Sequence, residues 1–180
     1  EAISKRSVKR PVCEGTIGAD GLFYKEKGGW LKLWIDLPDR QSPNLAHAYA
    51  MGIDIATGGE ITSSNSVISL GDVNQVRKIG EIAISSMMPH KFAEIAMLVY
   101  NLFGEPYTVW EDNGPGVIFG RVFRELGARK YYCRRSEKTL SASMGDTPGW
   151  HSSPEEKTVL LGEYRRAVSQ GEYITHCDEE

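Results

Sequence analysis

Apolar and polar residues alternate in blocks along the middle of the chain, and the block lengths predict several strands. Residues 49–55 form a nearly continuous apolar run, which is typical of a strand buried on both faces. Two further runs of strand length follow at residues 66–70 and 76–85, and the short turn 71–74 joins them. Because short connections favour antiparallel pairing, these three strands are predicted to form a meander.

The second half of the chain alternates between helical and strand patterns. From residue 89 to residue 103 apolar residues recur at helical spacing, with a proline at the first position and Gly104 after the last. The segments that follow are predicted as a strand at 107–110, a helix at 117–126, a strand at 130–133, a polar loop at 136–150 and a helix from Ser153 to about Ser169. Strand–helix–strand units require parallel crossovers, so parallel strands are expected beside the meander.

The N-terminal region predicts less regular structure. Residues 1–12 are polar and basic and are predicted to be a linker or a chain end. Residues 21–24 and 30–36 are strand-like, and a Gly-Gly turn between them predicts a β-hairpin at about residues 19–36. The order of all elements predicts one α/β domain over residues 13–180, with a ribonuclease-H-like mixed sheet flanked by helices and preceded by this hairpin.

Composition sets wide bounds on function. A chain of 180 residues suits one domain, and its 41 % hydrophobic and 25 % charged residues are ordinary for a folded protein. No apolar stretch approaches the roughly 20 residues that span a bilayer, and the N-terminus does not resemble a signal peptide, so no membrane partner is expected. The three cysteines lack metal-type spacing, which favours reduced thiols in an intracellular compartment.

The distribution of charge is more informative than its sum. The net charge of −3 does not indicate a nucleic-acid-binding protein. A basic run nevertheless extends from residue 121 to residue 138, where it contains Arg121, Arg124, Arg129, Lys130, Arg134, Arg135 and Lys138. Such a run is either a solvated face or a surface that contacts phosphate groups, and charge alone leaves both interpretations open.

Two of the predicted strands end on carboxylates. Asp54 lies at the end of the first strand, and Glu111 follows the strand at 107–110. Adjacent parallel strands would place both acids at one edge of the sheet, where carboxylates can hold a divalent metal ion together. Asp112 is a substitute or an outer partner in this hypothesis. The alternative is that Asp54 merely ends a strand and caps a turn.

Three pieces of sequence resemble the C-terminal nuclease domain of the large terminase subunit of tailed bacteriophages. The first is Gly-Ile-Asp at residues 52–54, followed by a glycine-rich turn. The second is Val-Trp-Glu-Asp-Asn-Gly-Pro-Gly at residues 109–116, and the third is Gly-Trp at residues 149–150, before a helix that contains Lys157. The second and third pieces are the specific ones. The resemblance covers about residues 20–175.

The resemblance implies a metal-dependent endonuclease that cuts concatemeric viral double-stranded DNA during genome packaging into procapsids. It implies two-metal phosphodiester hydrolysis with Mg²⁺ or Mn²⁺, in which Asp54 and Glu111 are the catalytic residues and the first two metal ligands. It also implies the portal and the small terminase subunit as partners, and a location in the host cell cytoplasm at the procapsid. The candidate contacts to DNA are Arg129, Lys130, Arg134, Arg135 and Lys157.

The chain departs from the family pattern at three points. Asn65 stands where the family usually has an aspartate just before the second strand. The family's third metal-binding aspartate follows the last helix, and Asp178 lies too close to that helix for this role, so a third ligand is expected downstream of Glu180. No Gly-x-x-x-x-Gly-Lys-Ser/Thr loop occurs, so the packaging ATPase is not expected within these residues. A nuclease fragment with an incomplete metal site is therefore predicted.

Two other interpretations remain open at this point. Residues 51–59 also resemble the phosphate loop of actin-like sugar kinases, which would make the chain an ATP-binding half domain. That interpretation requires a second half of similar size, for which 180 residues leave no room. The other alternative is a non-catalytic module of the same fold that docks a partner through the hairpin containing Trp30 and Trp34.

Overall fold

The computed structural model describes residues 9–58, 64–134 and 147–175. Within these ranges the chain forms nine strands and three helices. In chain order they are β1 (Cys13–Ile17), β2 (Phe23–Lys25), β3 (Leu31–Leu33), β4 (Tyr49–Asp54), β5 (Ser66–Asp72), β6 (Arg77–Ile84), α1 (Pro89–Leu102), β7 (Tyr107–Trp110), α2 (Pro115–Glu125), β8 (Cys133–Arg134), β9 (Thr147–Pro148) and α3 (Pro154–Gln170).

Seven of these strands form one mixed sheet in the order β2-β1-β3-β6-β5-β4-β7. The strands β4, β5 and β6 pair antiparallel in sequence order, which confirms the predicted meander. After α1 the chain enters β7, which lies parallel to β4 with Ile53 opposite Trp110. This crossover places the carboxyl ends of β4 and β7 side by side, as the α/β prediction requires.

The N-terminal strands differ from the hairpin predicted at residues 19–36. Strands β2 and β3 do not pair with each other, because β1 lies between them and pairs antiparallel with both. The sequence signal of β1 is weak, since Gly15 interrupts it and Gly18 follows it. Gly15 is nevertheless suited to this position, because a Cβ atom there would overlap the carbonyl oxygen of Tyr24 on β2.

The end of the predicted linker contacts the sheet. The backbone N–H of Val12 donates to the carbonyl of Leu33 at 2.7 Å, and the indole of Trp34 donates to the carbonyl of Lys9 at 2.7 Å. Trp30 packs against the core, so both tryptophans of the docking hypothesis contact their own chain. Residues 1–8 of the predicted linker lie outside the described residues.

One face of the sheet carries the hydrophobic core. Phe92 of α1 and Phe119 of α2 belong to the same buried cluster as Met51 and Ile53 of β4. Burial alternates along β4, since Met51 and Ile53 are buried whereas Gly52 and Asp54 are exposed. The prediction that this strand is buried on both faces is therefore wrong, because the helices α1 and α2 cover only one of them.

The strand predicted at residues 130–133 makes only a short backbone contact with β7. The N–H of Thr108 donates to Lys130 at 3.0 Å, the N–H of Tyr132 donates to Thr108 at 2.8 Å, and Tyr131 makes a single parallel bridge. The residues that follow no longer pair with β7. They form β8, which pairs with β9 in a separate two-stranded sheet. Residues 135–146, which include most of the predicted polar loop, lie outside the described residues.

Helix α3 is well capped but mostly exposed. Ser153 and Glu156 form a capping box, and Gly171 ends the helix with a φ of 75°. Only Val168 of this helix is buried, and the backbone of Ile174 then bonds with Val76 and Lys78 beside β6. In the described part of the chain no helix is both long and apolar enough to cross a membrane.

Candidate metal centre

The carboxyl ends of β4 and β7 bring the two predicted acids to one pocket. Asp54 and Glu111 both line a pocket of about 210 Å³, together with Ile55, Asn113, Gly114 and Pro115. Asp54 is exposed, whereas the side chain of Glu111 is 26 % exposed. The two acids lie in one pocket because β4 pairs parallel with β7, which aligns the ends of strands that lie far apart in sequence.

Glu111 is held by three donors from two parts of the chain. Its Oε1 atom accepts hydrogen bonds from the hydroxyl of Ser152 and from Nδ2 of Asn113, the latter at 3.1 Å. Nζ of Lys157, in the first turn of α3, lies 3.3 Å from the same oxygen. The Ser152 hydrogen bond is the main reason that the pKa of Glu111 lies below its usual value; burial opposes it, and Asn113 and Lys157 reinforce it.

Backbone pairing brings Ser152 to the site. The N–H of Asp112 donates to Trp150 at 2.7 Å, and the N–H of Trp150 donates to Trp110 at 2.8 Å, so residue 150 lies beside the end of β7. Ser152 follows two residues later, where its hydroxyl and its carbonyl also accept from Asn113. The Gly-Trp pair that precedes α3 therefore joins this helix to the acidic end of β7.

Two glycines shape the loop between Glu111 and α2. Gly114 has a φ of 49°, a conformation that other residues rarely adopt. Gly116 lies so close to β7 that a Cβ atom there would overlap the carbonyl oxygen of Glu111. The Gly-Pro-Gly piece thus allows α2 to begin directly beside the strand end that carries Glu111.

Asp112 faces different surroundings from Glu111. Successive residues of an extended chain point to opposite sides. Asp112 accordingly lines a second pocket of about 320 Å³ with Trp110, Arg121 and Arg124, and its carboxylate lies 3.2 Å from Nη2 of Arg134. It does not line the pocket that contains Asp54, so it is placed poorly for the substitute role that the sequence allowed.

The predicted DNA-contacting residues fall into two groups at opposite ends of β7. Arg134 and Lys157 lie at the carboxyl end, where they pair with Asp112 and Glu111. Lys130 lies beside Thr108 near the other end, with Arg129 next to it, and its Nζ is 3.7 Å from Glu105. A strand of four residues separates the two groups by about 13 Å. Arg135 lies outside the described residues.

Two residues of the site have little or no signal in the sequence. Asn113 belongs to the Glu-Asp-Asn-Gly-Pro-Gly piece, but its amide contact with Glu111 depends on the loop geometry. Ser152 is separated from Glu111 by 41 residues, and only the pairing of residue 150 with β7 brings the two together.

The donor chemistry of the pocket suits a hard divalent cation. Two carboxylate residues from the ends of adjacent strands line it, and Mg²⁺ and Mn²⁺ prefer oxygen ligands. Within the described ranges no three His, Cys, Asp or Glu residues are grouped closely enough to form a larger metal site. Asp178 lies outside those ranges, and Asn65 lies just before β5, as predicted.

Comparisons with known proteins give a clear result only at the level of structure. No protein-family model matches the chain, and neither does the sequence of any curated protein. The magnesium-bound large terminase nuclease of thermophilic phage G20c matches with a TM-score of 0.60 and 16 % identity, over 89 % of this chain and 74 % of that one. Its cobalt-bound form matches with a TM-score of 0.61 and 15 % identity, over 89 % and 73 %.

The large terminase nuclease domain of Thermus phage P74-26 is a further structural neighbour. It matches with a TM-score of 0.57 and 14 % identity, over 84 % of this chain and 64 % of that domain. Likeness at such low identity establishes architecture, whereas activity depends on the residues of the site. The chain therefore has the ribonuclease-H-like α/β fold of its structural neighbours, the large terminase nuclease domains.

Proposed function

We propose that the chain is a divalent-metal-dependent endonuclease that cuts concatemeric viral double-stranded DNA during packaging. The observation that carries this proposal is the convergence of Asp54 and Glu111 on one pocket, at the ends of adjacent parallel strands. This convergence occurs in a fold whose structural neighbours are nuclease domains crystallised with magnesium, cobalt or zinc. The proposed setting is the host cell cytoplasm, with the portal and the small terminase subunit as partners.

The two carboxylates would hold Mg²⁺ or Mn²⁺, with two ions in the complete site. When bound, such ions activate water and stabilise the leaving oxygen of a phosphodiester. The chain's own contribution is to position the ligands: Ser152 and Asn113 donate hydrogen bonds to Glu111, while Asp54 is exposed and lines the same pocket. Lys157 and Arg134 add positive charge beside the acids, where a phosphate group of the substrate would lie.

Metal binding tests this proposal directly. We expect calorimetric titration with Mn²⁺ to show binding by residues 1–180, and we expect Asp54→Asn and Glu111→Gln each to abolish it, because each removes an anionic ligand. Mg²⁺-dependent nicking of plasmid DNA by the same variants provides a second measurement. Asp36→Asn is a matched control, since Asp36 is an exposed carboxylate that pairs with Lys25 near β2, at the other edge of the sheet. Unchanged Mn²⁺ affinity in both site variants would disprove the assignment.

The two other interpretations gain no support from the described residues. The phosphate-loop hypothesis concerns residues 51–59, and residues 59–63 lie outside the described ranges. The docking hypothesis relies on two tryptophans, and Trp34 is engaged by Lys9 and lies 5.9 Å from Nζ of Lys78. The endonuclease proposal is therefore the one that the site geometry favours.

A further inference from the structure

The contacts of Glu111 are distributed unevenly between its two oxygens. Ser152, Asn113 and Lys157 all approach Oε1. Within the described part of the chain, no hydrogen bond or ion pair reaches Oε2. The carboxylate is therefore anchored through one oxygen, and none of the described residues donates to the other.

We propose that Ser152 and Asn113 are positioning residues, which hold Glu111 by Oε1 so that Oε2 is presented to a divalent cation. This inference rests on the proposed function, because it concerns the same pocket. A flexible glutamate loses side-chain freedom when it binds a metal ion. Donors that fix its orientation beforehand reduce that loss, and hydrogen bonds to metal-binding side chains commonly raise metal affinity in this way.

The hydroxyl of Ser152 has no other evident task in the fold. The N-cap of α3 is Ser153, whose side chain accepts from the N–H of Glu156 at 3.1 Å. The backbone bonds of Trp150 with β7 fix the preceding segment without any serine side chain. Among the described residues, the Ser152 hydroxyl hydrogen-bonds only with Glu111 and Asn113. Its hydroxyl therefore serves the carboxylate rather than the helix.

Asn113 completes the same small network. Its Nδ2 atom donates to Oε1 of Glu111 at 3.1 Å and lies 3.1 Å from the hydroxyl and 3.3 Å from the carbonyl of Ser152. The amide thus connects the loop after β7 with the segment before α3. Because Ser152 and Asn113 are uncharged, they orient the carboxylate without repelling a cation.

Removing Lys157 is expected to change metal affinity in the opposite direction from removing Ser152 or Asn113. Its ammonium group lies 3.3 Å from Oε1 and its side chain is 52 % exposed, so it adds a solvent-exposed positive charge beside the pocket. A nearby positive charge disfavours binding of a second cation. Removing Lys157 is therefore expected to strengthen divalent-cation binding, whereas removing a positioning donor is expected to weaken it.

Calorimetric titration of residues 1–180 with Mn²⁺ tests the inference. We expect Ser152→Ala and Asn113→Ala each to weaken Mn²⁺ affinity by about tenfold or more, the usual effect of removing a hydrogen bond to a metal ligand. Ser152→Thr keeps the hydroxyl and should restore most of the affinity. We expect Lys157→Met to bind Mn²⁺ more tightly than the wild type. Thermal melting without metal is measured for every variant, so that any loss of folding is detected separately.

Ser153→Ala is the matched control, because it removes the neighbouring hydroxyl that caps α3 but does not touch Glu111. It should lower the melting temperature and leave Mn²⁺ affinity unchanged. If Ser152→Ala and Asn113→Ala fold and bind Mn²⁺ as tightly as the wild type, or more tightly, while Asp54→Asn abolishes binding, the positioning inference is wrong and the proposed function stands. If the wild type binds no Mn²⁺, both are overturned.

Discussion

Glu111 and Asp112 are adjacent in sequence, but side chains alternate along an extended chain, so the two acids face different surroundings. Glu111 lines the pocket with Asp54, whereas Asp112 pairs with Arg134 on the other side. The alternation of side chains along a strand could have separated the two acids from sequence alone. The Ser152 contact could not be predicted in this way, because it depends on how residue 150 pairs with β7.

A second acid, Asp72, allows a prediction of pH dependence away from the proposed metal site. Asp72 is 4 % exposed, and it contacts Nδ1 of His47 at 2.7 Å and accepts from the N–H of Gln75 at 3.0 Å. Burial raises its pKa, but these hydrogen bonds outweigh burial and hold the pKa below the usual 3.8. Because the folded-state pKa is lowered, the resulting stabilisation is present above pH 3.8 and is lost as the pH falls through the folded value.

We therefore expect Asp72→Asn to reduce the free energy of unfolding at pH 7 by about 1.5–3 kcal/mol, the usual range for hydrogen bonds to a charged group. The difference from the wild type should shrink as the pH falls below 3.8. Urea unfolding over a series of pH values measures it. Asp36→Asn, at an exposed carboxylate, should show a much smaller difference throughout. A difference for Asp72→Asn that stays constant with pH would refute the argument.

Elements with apolar patterns or clear turn and cap residues were predictable, and so were the strand-like segments of β2 and β3, but not β1 or its pairing between them. The segments that became β4 to β7 and the three helices carry apolar spacing and punctuation that agree with the structure. The strands β2 and β3 have three residues each, and their partner β1 contains a glycine, so local sequence could not specify which pairs form. Tertiary packing decides the order β2-β1-β3.

Gly116 lies in the first turn of α2, directly beside Glu111, and its substitution should destabilise the fold. A Cβ atom there would overlap the carbonyl oxygen of Glu111, and backbone cannot move aside as a flexible side chain can. We expect Gly116→Ala to reduce the free energy of unfolding by about 1–3 kcal/mol, as overpacking does, and to weaken Mn²⁺ binding by displacing Glu111. Urea denaturation and calorimetry measure the two effects.

Gly162→Ala is the matched control for this prediction. Gly162 lies inside α3 with nothing near the position of an added Cβ atom. Alanine in an exposed helix is favoured over glycine by up to about 1 kcal/mol, so this variant should be more stable than the wild type. If both variants shifted stability in the same direction, the close approach of α2 to β7 would not be the cause.

At the scale of the whole molecule, the pattern of elements predicted the architecture, but not the distribution of charge. The basic run looked like one surface in the sequence. The structure divides its described members between the two ends of β7, with Lys130 near Glu105 and Arg134 near Asp112. Whether each basic group contacts DNA phosphates therefore depends on the orientation of the duplex relative to β7. The separation of about 13 Å corresponds to roughly four base pairs along one strand of a duplex, so one bound duplex could reach both groups.

The salt dependence of DNA binding tests this arrangement. Neutralising a phosphate contributes about 0.9 to the slope of log K against log salt concentration. We expect Arg134→Glu with Arg135→Glu to weaken DNA affinity and to lower this slope by up to about 1.8, and Arg129→Glu with Lys130→Glu to have a similar effect. Both effects should be independent of DNA sequence, because phosphate contacts do not read bases. Fluorescence anisotropy with short duplexes at several salt concentrations measures them.

The double variant Lys27→Glu with Arg40→Glu makes the same change in charge near β2, at the opposite edge of the sheet. Six strand spacings separate that edge from β7, or about 29 Å, which exceeds the Debye length of about 8 Å at physiological salt. The slope should therefore remain as in the wild type, although the net charge becomes equally more negative. If the two β7 variants leave affinity and slope intact, the basic run is a solvated face. If the β2 variant changes the slope as much as they do, DNA responds to net charge rather than to contacts at the two ends of β7.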